Sequence, residues 1–377
     1  MPRVGGLLSD PVIVTSSDPD AMVDMSAVLT TLFACSGSVA IGTYATRSGV
    51  LDSSARKGIA ALYSKIVFPT VVFLGVAAID MATIDRTTLL VMLASKATLA
   101  AIIVSYGYCL LRSTHAGSAL AHAGMWAMAA SHSFDVTLGV PLARTLFPES
   151  VAYAYLNQSV QLVLVNPILI VLIESGGASG GSKGGGGRLL KALRDVASNP
   201  LVAMTVLGLI AGQAFPAGLP VPVEALAKQI SGAGAFLGFL ALGFAMGTLG
   251  GTSTAELSIS SVLCAAKLVL MPVLYVMYGT LLHCDAPVPL LVFLGTLPAS
   301  ASVYSLSLTK QLSPSILGPL VPASVMLCVA LSFLPLWPLA AAYRATDVLR
   351  LCVCLGGASG LFAAAAGLPS PAKSKAS

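Results

Sequence analysis

Charge is scarce in this sequence. Asp, Glu, Lys and Arg make up 9% of its 377 residues, against roughly a quarter in soluble domains. Beside that shortage stand 56% hydrophobic residues and a mean hydropathy of +0.90. Together they exclude an ordinary soluble domain and place the chain in the membrane class. The amphipathic periodicity of a soluble α/β enzyme is likewise missing. There are four histidines, no C-x-x-C pair and no Cys/His set at metal-ligand spacing, so neither a metal nor another cofactor is expected. Without a nucleophile elbow or other catalytic constellation, an enzyme is not expected either. The seven cysteines are odd in number and lie mostly in apolar stretches, where a thiol behaves as a small buried residue. Cys352 and Cys354, near a membrane boundary, also suit S-palmitoylation.

What is present is a succession of apolar stretches. A span needs about 20 predominantly apolar residues, with polar or Gly/Pro punctuation between spans. This rule predicts ten segments: 26–46, 57–80, 87–111, 118–147, 150–174, 199–217, 224–249, 257–282, 287–311 and 314–343. Residues 1–25 read as a polar tail, too acidic (Asp10, Asp18, Asp20, Asp24) for a signal or transit peptide. After 343 a C-terminal tail, 344–377, contains an eleventh apolar stretch at 351–368; a short span and an interfacial segment both fit it.

The Gly-rich run from Ser175 to Arg188, within an expected linker 175–198, follows the fifth segment of ten. It divides the chain into halves of five spans, 26–174 and 199–343. Landmarks recur in order between them. The third spans carry Lys96 and Lys267, the fourth Pro141 and Pro298, and the fifth Pro167 and Pro322. Five spans per half force the halves into opposite orientations. The expected fold is therefore an all-α polytopic membrane protein with ten transmembrane helices in two inverted five-helix repeats.

The net charge of +5 is spread over loops, so it bears on orientation and not on nucleic acid, which is not an expected partner. Loops after odd-numbered spans hold Arg47, Arg56, Lys57, Arg112, Lys183, Arg188, Lys191, Arg194 and Lys310. The opposite side holds Arg3, Arg86, Arg144 and Lys228 before the C-terminal tail. The positive-inside rule then puts the linker in the cytosol and the N-terminus outside or in a lumen.

A charge at the centre of a membrane helix costs about 2.5–3.5 kcal/mol on insertion scales. With the charges at loops and span boundaries set aside, four remain inside spans: Lys65, Lys96, Asp135 and Lys267. Lys65 lies near a span end, where its stem can carry the ammonium to the headgroups. Lys96 and Lys267 sit deeper, at matching places in the two halves, as supporting charge. Gly139 and Pro141 are expected to break the fourth span one turn after Asp135, and Pro298, followed by Ser300 and Ser302, to break the ninth. Backbone freed by a break cannot face lipid. Two breaks meeting at mid-membrane would aim amides and small hydroxyls at one point, which suits an anion. Ser133, Asp135, Gly139, Pro141, Pro298, Ser300 and Ser302 are thus the substrate-binding candidates. Asn157 and Gln161, four apart on one helix face, join them, although packing between helices is the commoner use of such amides. His132 is expected as a polar group at a span's edge or a proton relay.

Three stretches carry a resemblance. "LDSSARKGIAALYSKIVFPTVVFLGVA", "SFDVTLGVPLARTLFP" and "TLPASASVYSLSLTKQ" resemble the first loop and second helix, the fourth-helix crossover and the ninth-helix crossover of the auxin efflux carrier family, the PIN-like transporters. The resemblance covers about residues 26–343. It implies a scaffold of helices 1, 2, 6 and 7, a moving domain containing crossover helices 4 and 9, elevator-type alternating access, small organic anions as substrates, and a homodimer. Lys96 matches a lysine of those carriers. Met92 stands where they have an acid, and Phe134 where they have a crossover asparagine.

The expected function is secondary transport of a small organic anion. A sodium-coupled organic-anion symporter of the bile-acid type shares the plan but needs more acids and amides than this sequence offers. A non-transporting module that binds a sterol or another membrane lipid is the third reading. Plasma, endolysosomal and endoplasmic-reticulum membranes all remain open.

Overall fold

The computed structural model describes residues 25–115, 117–176, 194, 198–247 and 253–328. The described residues are helical, with one isolated antiparallel β-bridge and no strand. In chain order the helices are α1 (Met25–Arg47), α2 (Ser53–Ala77), α3 (Arg86–Leu111), α4 (Ala119–Ser131), α5 (Val140–Leu146), α6 (Pro148–Gly176), α7 (Pro200–Ala214), α8 (Val221–Gly247), α9 (Thr254–Leu281), α10 (Val288–Thr296), α11 (Ala301–Lys310) and α12 (Pro314–Leu327). Their ends lie within a few residues of the expected stretches, except that the expected end of the tenth, at 343, lies outside the described residues. Among the described residues α2, α3, α6, α8 and α9 are long and apolar enough to cross a membrane, and the chain is a multi-pass membrane protein. The polar tail before Met25, most of the Gly-rich linker, and the C-terminal tail with its stretch 351–368 lie outside the described residues.

Local chemistry sets the helix starts. Asp85 accepts from the Thr87 and Thr88 amides at 2.8 and 2.9 Å, Asn199 accepts from Leu201, and Ser253 with Glu256 forms a capping box. Pro200 and Pro314 occupy first helical positions, where the missing N–H has no helical partner to lose.

Prolines inside the spans act differently. Among the described residues four π-helical turns, Tyr63–Val67, Asp135–Gly139, Gln161–Val165 and Ala266–Leu270, each run into a residue followed by proline: Pro69, Pro141, Pro167 and Pro272. The residue before each proline donates its amide to the carbonyl five residues back. Proline offers no N–H, and its ring collides with the carbonyl one turn earlier. A wider preceding turn absorbs both defects without breaking the helix.

Packing joins α1 to α8, α2 to α7, α3 to α4, α4 to α6, and α9 to α10. At the α1–α8 contact Gly42 and Gly243 meet backbone to backbone; a methyl on Gly243 would run into the Val39 carbonyl. Thr43 Oγ1 donates to the Gly243 carbonyl at 3.2 Å. Small residues let membrane helices approach this closely. The interior buries Trp126, Met92, Leu99 and Tyr275 completely, whereas Phe33, Ile168, Val221 and Leu281 stay on the outside. That pattern suits a bundle whose surrounding solvent is apolar.

Candidate functional site

The chain leaves α4 at Ser131, runs extended through His132 and Ser133, and resumes as the π turn from Asp135. It leaves α10 at Thr296, extends through Leu297–Ser300, and resumes as α11. The two interruptions cross. The Phe134 amide donates to the Pro298 carbonyl at 2.8 Å and the Ser300 amide to the His132 carbonyl at 3.1 Å, so that Ser133 faces Ala299 in an antiparallel bridge. Each break thus supplies partners for backbone that the other has bared, as an apolar surrounding requires.

The first break lies at His132–Phe134, upstream of the place expected from Gly139 and Pro141. Asp135 consequently follows the break directly. Pro141 sits in α5 behind a π turn that absorbs it. Gly139 serves a different purpose: a methyl there would come within 2.9 Å of Leu297 Cδ1, so its bare backbone admits the second break. The second break does coincide with Pro298. The amides nearest the crossing are also less free than expected. Besides the two cross-pairs, Ala299 N–H donates to Ser324 Oγ at 3.1 Å.

Three charged side chains, all wholly buried, converge on the first break. Lys96 Nζ, from α3, stands 3.7 Å from Asp135 Oδ2 and 3.4 Å from the Ser131 carbonyl, to which it donates. Lys267 Nζ, from the π turn within α9, donates to Ser133 Oγ at 2.5 Å. Asn157 Nδ2 donates to Asp135 Oδ1 at 2.8 Å, and Tyr275 OH donates to Asn157 Oδ1 at 2.5 Å. This chain of partners fixes the carboxylate, although its Oδ2 has no hydrogen bond; the Lys96 ammonium stands nearest it and Lys267 acts on it from farther off.

The candidates therefore divide. Ser133, Asp135, Asn157, Lys96, Lys267, Gly139, Pro298 and Ser300 meet at the crossing. Gln161 lies one step away, donating to Asn166 Oδ1 at 2.8 Å and Ser131 Oγ at 3.2 Å, with its Oε1 unpartnered. Ser302 is half-buried on α11 and bonded to Ser300, Oγ to Oγ at 2.8 Å. Lys65 is exposed. His132, expected at a span's edge, is buried in the crossing with its Nε2 3.0 Å from Gln158 Nε2. Its position follows from the break lying at the residue itself.

Tyr275 and Ser324 had no place in the sequence reading. Tyr275 carried a signal, since it lies eight residues after Lys267, about two turns along the same helix. Ser324 carried none, because a serine within an apolar helix is common.

A cavity of about 750 Å³ opens between α2, α5, α6 and α8. Val136 and Thr137, from the same π turn as Asp135, line it together with Tyr155, Arg144, Glu224 and Lys228. Thr137 Oγ1 lies 2.8 Å from Tyr63 OH, and Lys228 pairs with Glu224 at 2.6 Å. A second, apolar cavity of about 570 Å³ lies between α1, α8 and α12, lined by Val39, Phe239, Leu242 and Val325. Among the described residues no group of three or more His, Cys, Asp or Glu could hold a metal ion.

No family model matches the chain. Among curated proteins it is similar to the mouse lysosomal cholesterol signaling protein, with 26% identity over 274 residues. The similar region is 69% of this chain and 30% of that protein, so the chain spans under a third of its relative's length.

Proposed function

We propose that this chain is a secondary transporter of the PIN-like kind, moving a small organic anion by elevator-type alternating access. The observation that carries the reading is the crossing itself. Two helix interruptions are hydrogen-bonded to each other in the protein interior, with two ammonium groups and one carboxylate gathered on them. Irregular backbone at membrane depth is tolerated only inside protein or beside a water-filled cavity, and buried charge gathered on it points to a functional site. The cavity beside Val136 and Thr137, where Lys228 is paired with Glu224 and Arg144 leaves one positive charge on the wall, supplies an approach for an anion.

The fold in this reading is ten spans in two inverted repeats, the fourth being α4 with α5 and the ninth α10 with α11. Reciprocal packing supports it: the first span lies on the seventh and the second on the sixth, as a twofold axis in the membrane plane would place them. The N-terminus is outside or lumenal and the Gly-rich linker cytosolic. The working unit is a homodimer in an endolysosomal membrane, a location supported by a relative named as lysosomal, and the chain is not an enzyme. A sodium-coupled mechanism fits the crossing less well, since a cation there would meet Lys96 and Lys267.

A second reading has its own observation. The apolar cavity between α1, α8 and α12, together with a relative named for cholesterol signaling, supports a sterol-binding module without transport. Uptake of a panel of organic acids into proteoliposomes, with and without sodium and a pH gradient, separates the readings. Saturable uptake without sodium is the expected result. Sterol binding with no flux of any acid would replace it with the second reading.

A further inference from the structure

We propose that Lys267 sets the charge of the guest: the crossing selects a solute with one negative charge, and Lys267 is the residue that selects it. This rests on the anion-carrier reading and goes past it to the group that decides specificity.

The two lysines hold matching places in sequence but different places in the charge balance. Lys96 is paired with Asp135 and also donates to the Ser131 carbonyl, so its charge is already met. Lys267 is equally buried, yet among the described residues its one hydrogen bond goes to a neutral hydroxyl, Ser133 Oγ. No carboxylate lies within ion-pair distance of it among those residues. The ionisable groups that act on it electrostatically are Lys96 and Asp135 of the same cluster, His132 on the first break and Cys328 beyond α12. The Cys328 thiol is engaged as a donor to the Thr296 carbonyl at 3.0 Å.

With both lysines protonated and Asp135 ionised, the cluster sums to one positive charge. An unpaired charge in an apolar interior is costly, and a counter-charge with hydrogen bonds removes most of that cost. An ammonium has three donors, and Lys267 uses one. A guest carboxylate can take the other two, with Ser133 holding the ammonium in place. Lys96 is then a positioning residue, acting through Asp135. The rule that follows is arithmetical: the charge of the cluster fixes the charge of the guest it prefers.

A matched series tests this: phenylacetate, phenylmalonate and phenylacetamide carry one, two and no negative charges on similar skeletons. Binding is measured by ligand-induced thermal shift on purified full-length protein. The wild type should prefer phenylacetate. Lys267→Gln should lose that preference over phenylacetamide by about 30-fold or more, the lower end of the loss on removing one partner of a buried charge pair. Lys267→Arg should keep it, which separates loss of charge from loss of fold. Asp135→Asn, which raises the cluster to two positive charges, should turn the preference toward phenylmalonate. Unchanged anion preference in a folded Lys267→Gln protein would overturn the proposal and leave the carrier reading standing. A wild type indifferent to charge across the series would overturn both.

Discussion

The two interrupted helices meet within a few hydrogen bonds of each other but close their broken ladders by different chemistry. The first, Ser131–Asp135, is surrounded by charge: Lys96 on a carbonyl, Lys267 on a hydroxyl, and Asp135 held by Asn157. The second, Thr296–Ala301, is closed by neutral groups, with Ser324 on the Ala299 amide and the Cys328 thiol on the Thr296 carbonyl. Both lysines, although from opposite halves, reach the first break. In the proposed reading the charged break is the point of selection and the neutral break supports it.

The contrast can be broken most forcefully at Asp135. Asp135→Asn should lower uptake of a singly charged organic acid by at least about tenfold, because the partner of Lys96 is gone, while expression stays intact. Uptake at the wild-type level in proteoliposomes would remove the carboxylate from the mechanism. The neutral side should respond in stability instead. Ser324→Ala leaves the Ala299 amide unpartnered and should cost about 1–3 kcal/mol, read as a lower unfolding midpoint in detergent, with charge preference untouched. A change in that preference would show that the second break also selects. The finest contrast is between prolines. Pro141→Ala relaxes the π turn that carries Asp135 and should reduce uptake several-fold, on the order of 1 kcal/mol. Pro69→Ala, beside a π turn that touches the Asp135 turn only through the Tyr63–Thr137 hydroxyl pair, should reduce uptake less. Equal effects would deny the Asp135 turn any special role.

The sequence disclosed some of this and concealed the rest for physical reasons. Helix positions followed from apolar length, and Lys96, Asp135 and Lys267 stood out because charge in a span is expensive. The second break was legible because Pro298 lies in it. The first was not, because "SHSF" contains neither proline nor glycine; its extended backbone is sustained by Pro298, Ser300 and the two lysines, all distant in sequence. Pro141 misled because proline acts on the turn before it, and a π turn there preserves the helix. His132 was misplaced along with the break. The matching places of Lys96 and Lys267 gave no sign that both serve the first break. Their shared choice of the first break depends on side-chain partners that no spacing reveals.

The meeting of the breaks is the claim on which the rest stands, and a cross-link measures it. Ser133 and Ala299 form the non-hydrogen-bonded pair of the bridge, a geometry that brings α-carbons to about 4.5 Å, within the range a disulfide spans. In the full-length Ser133→Cys/Ala299→Cys protein, mild oxidation in membranes followed by peptide mapping should yield a 133–299 disulfide in high proportion. Two cysteines that each react with a small thiol reagent but never with one another would place the breaks apart and contradict the account.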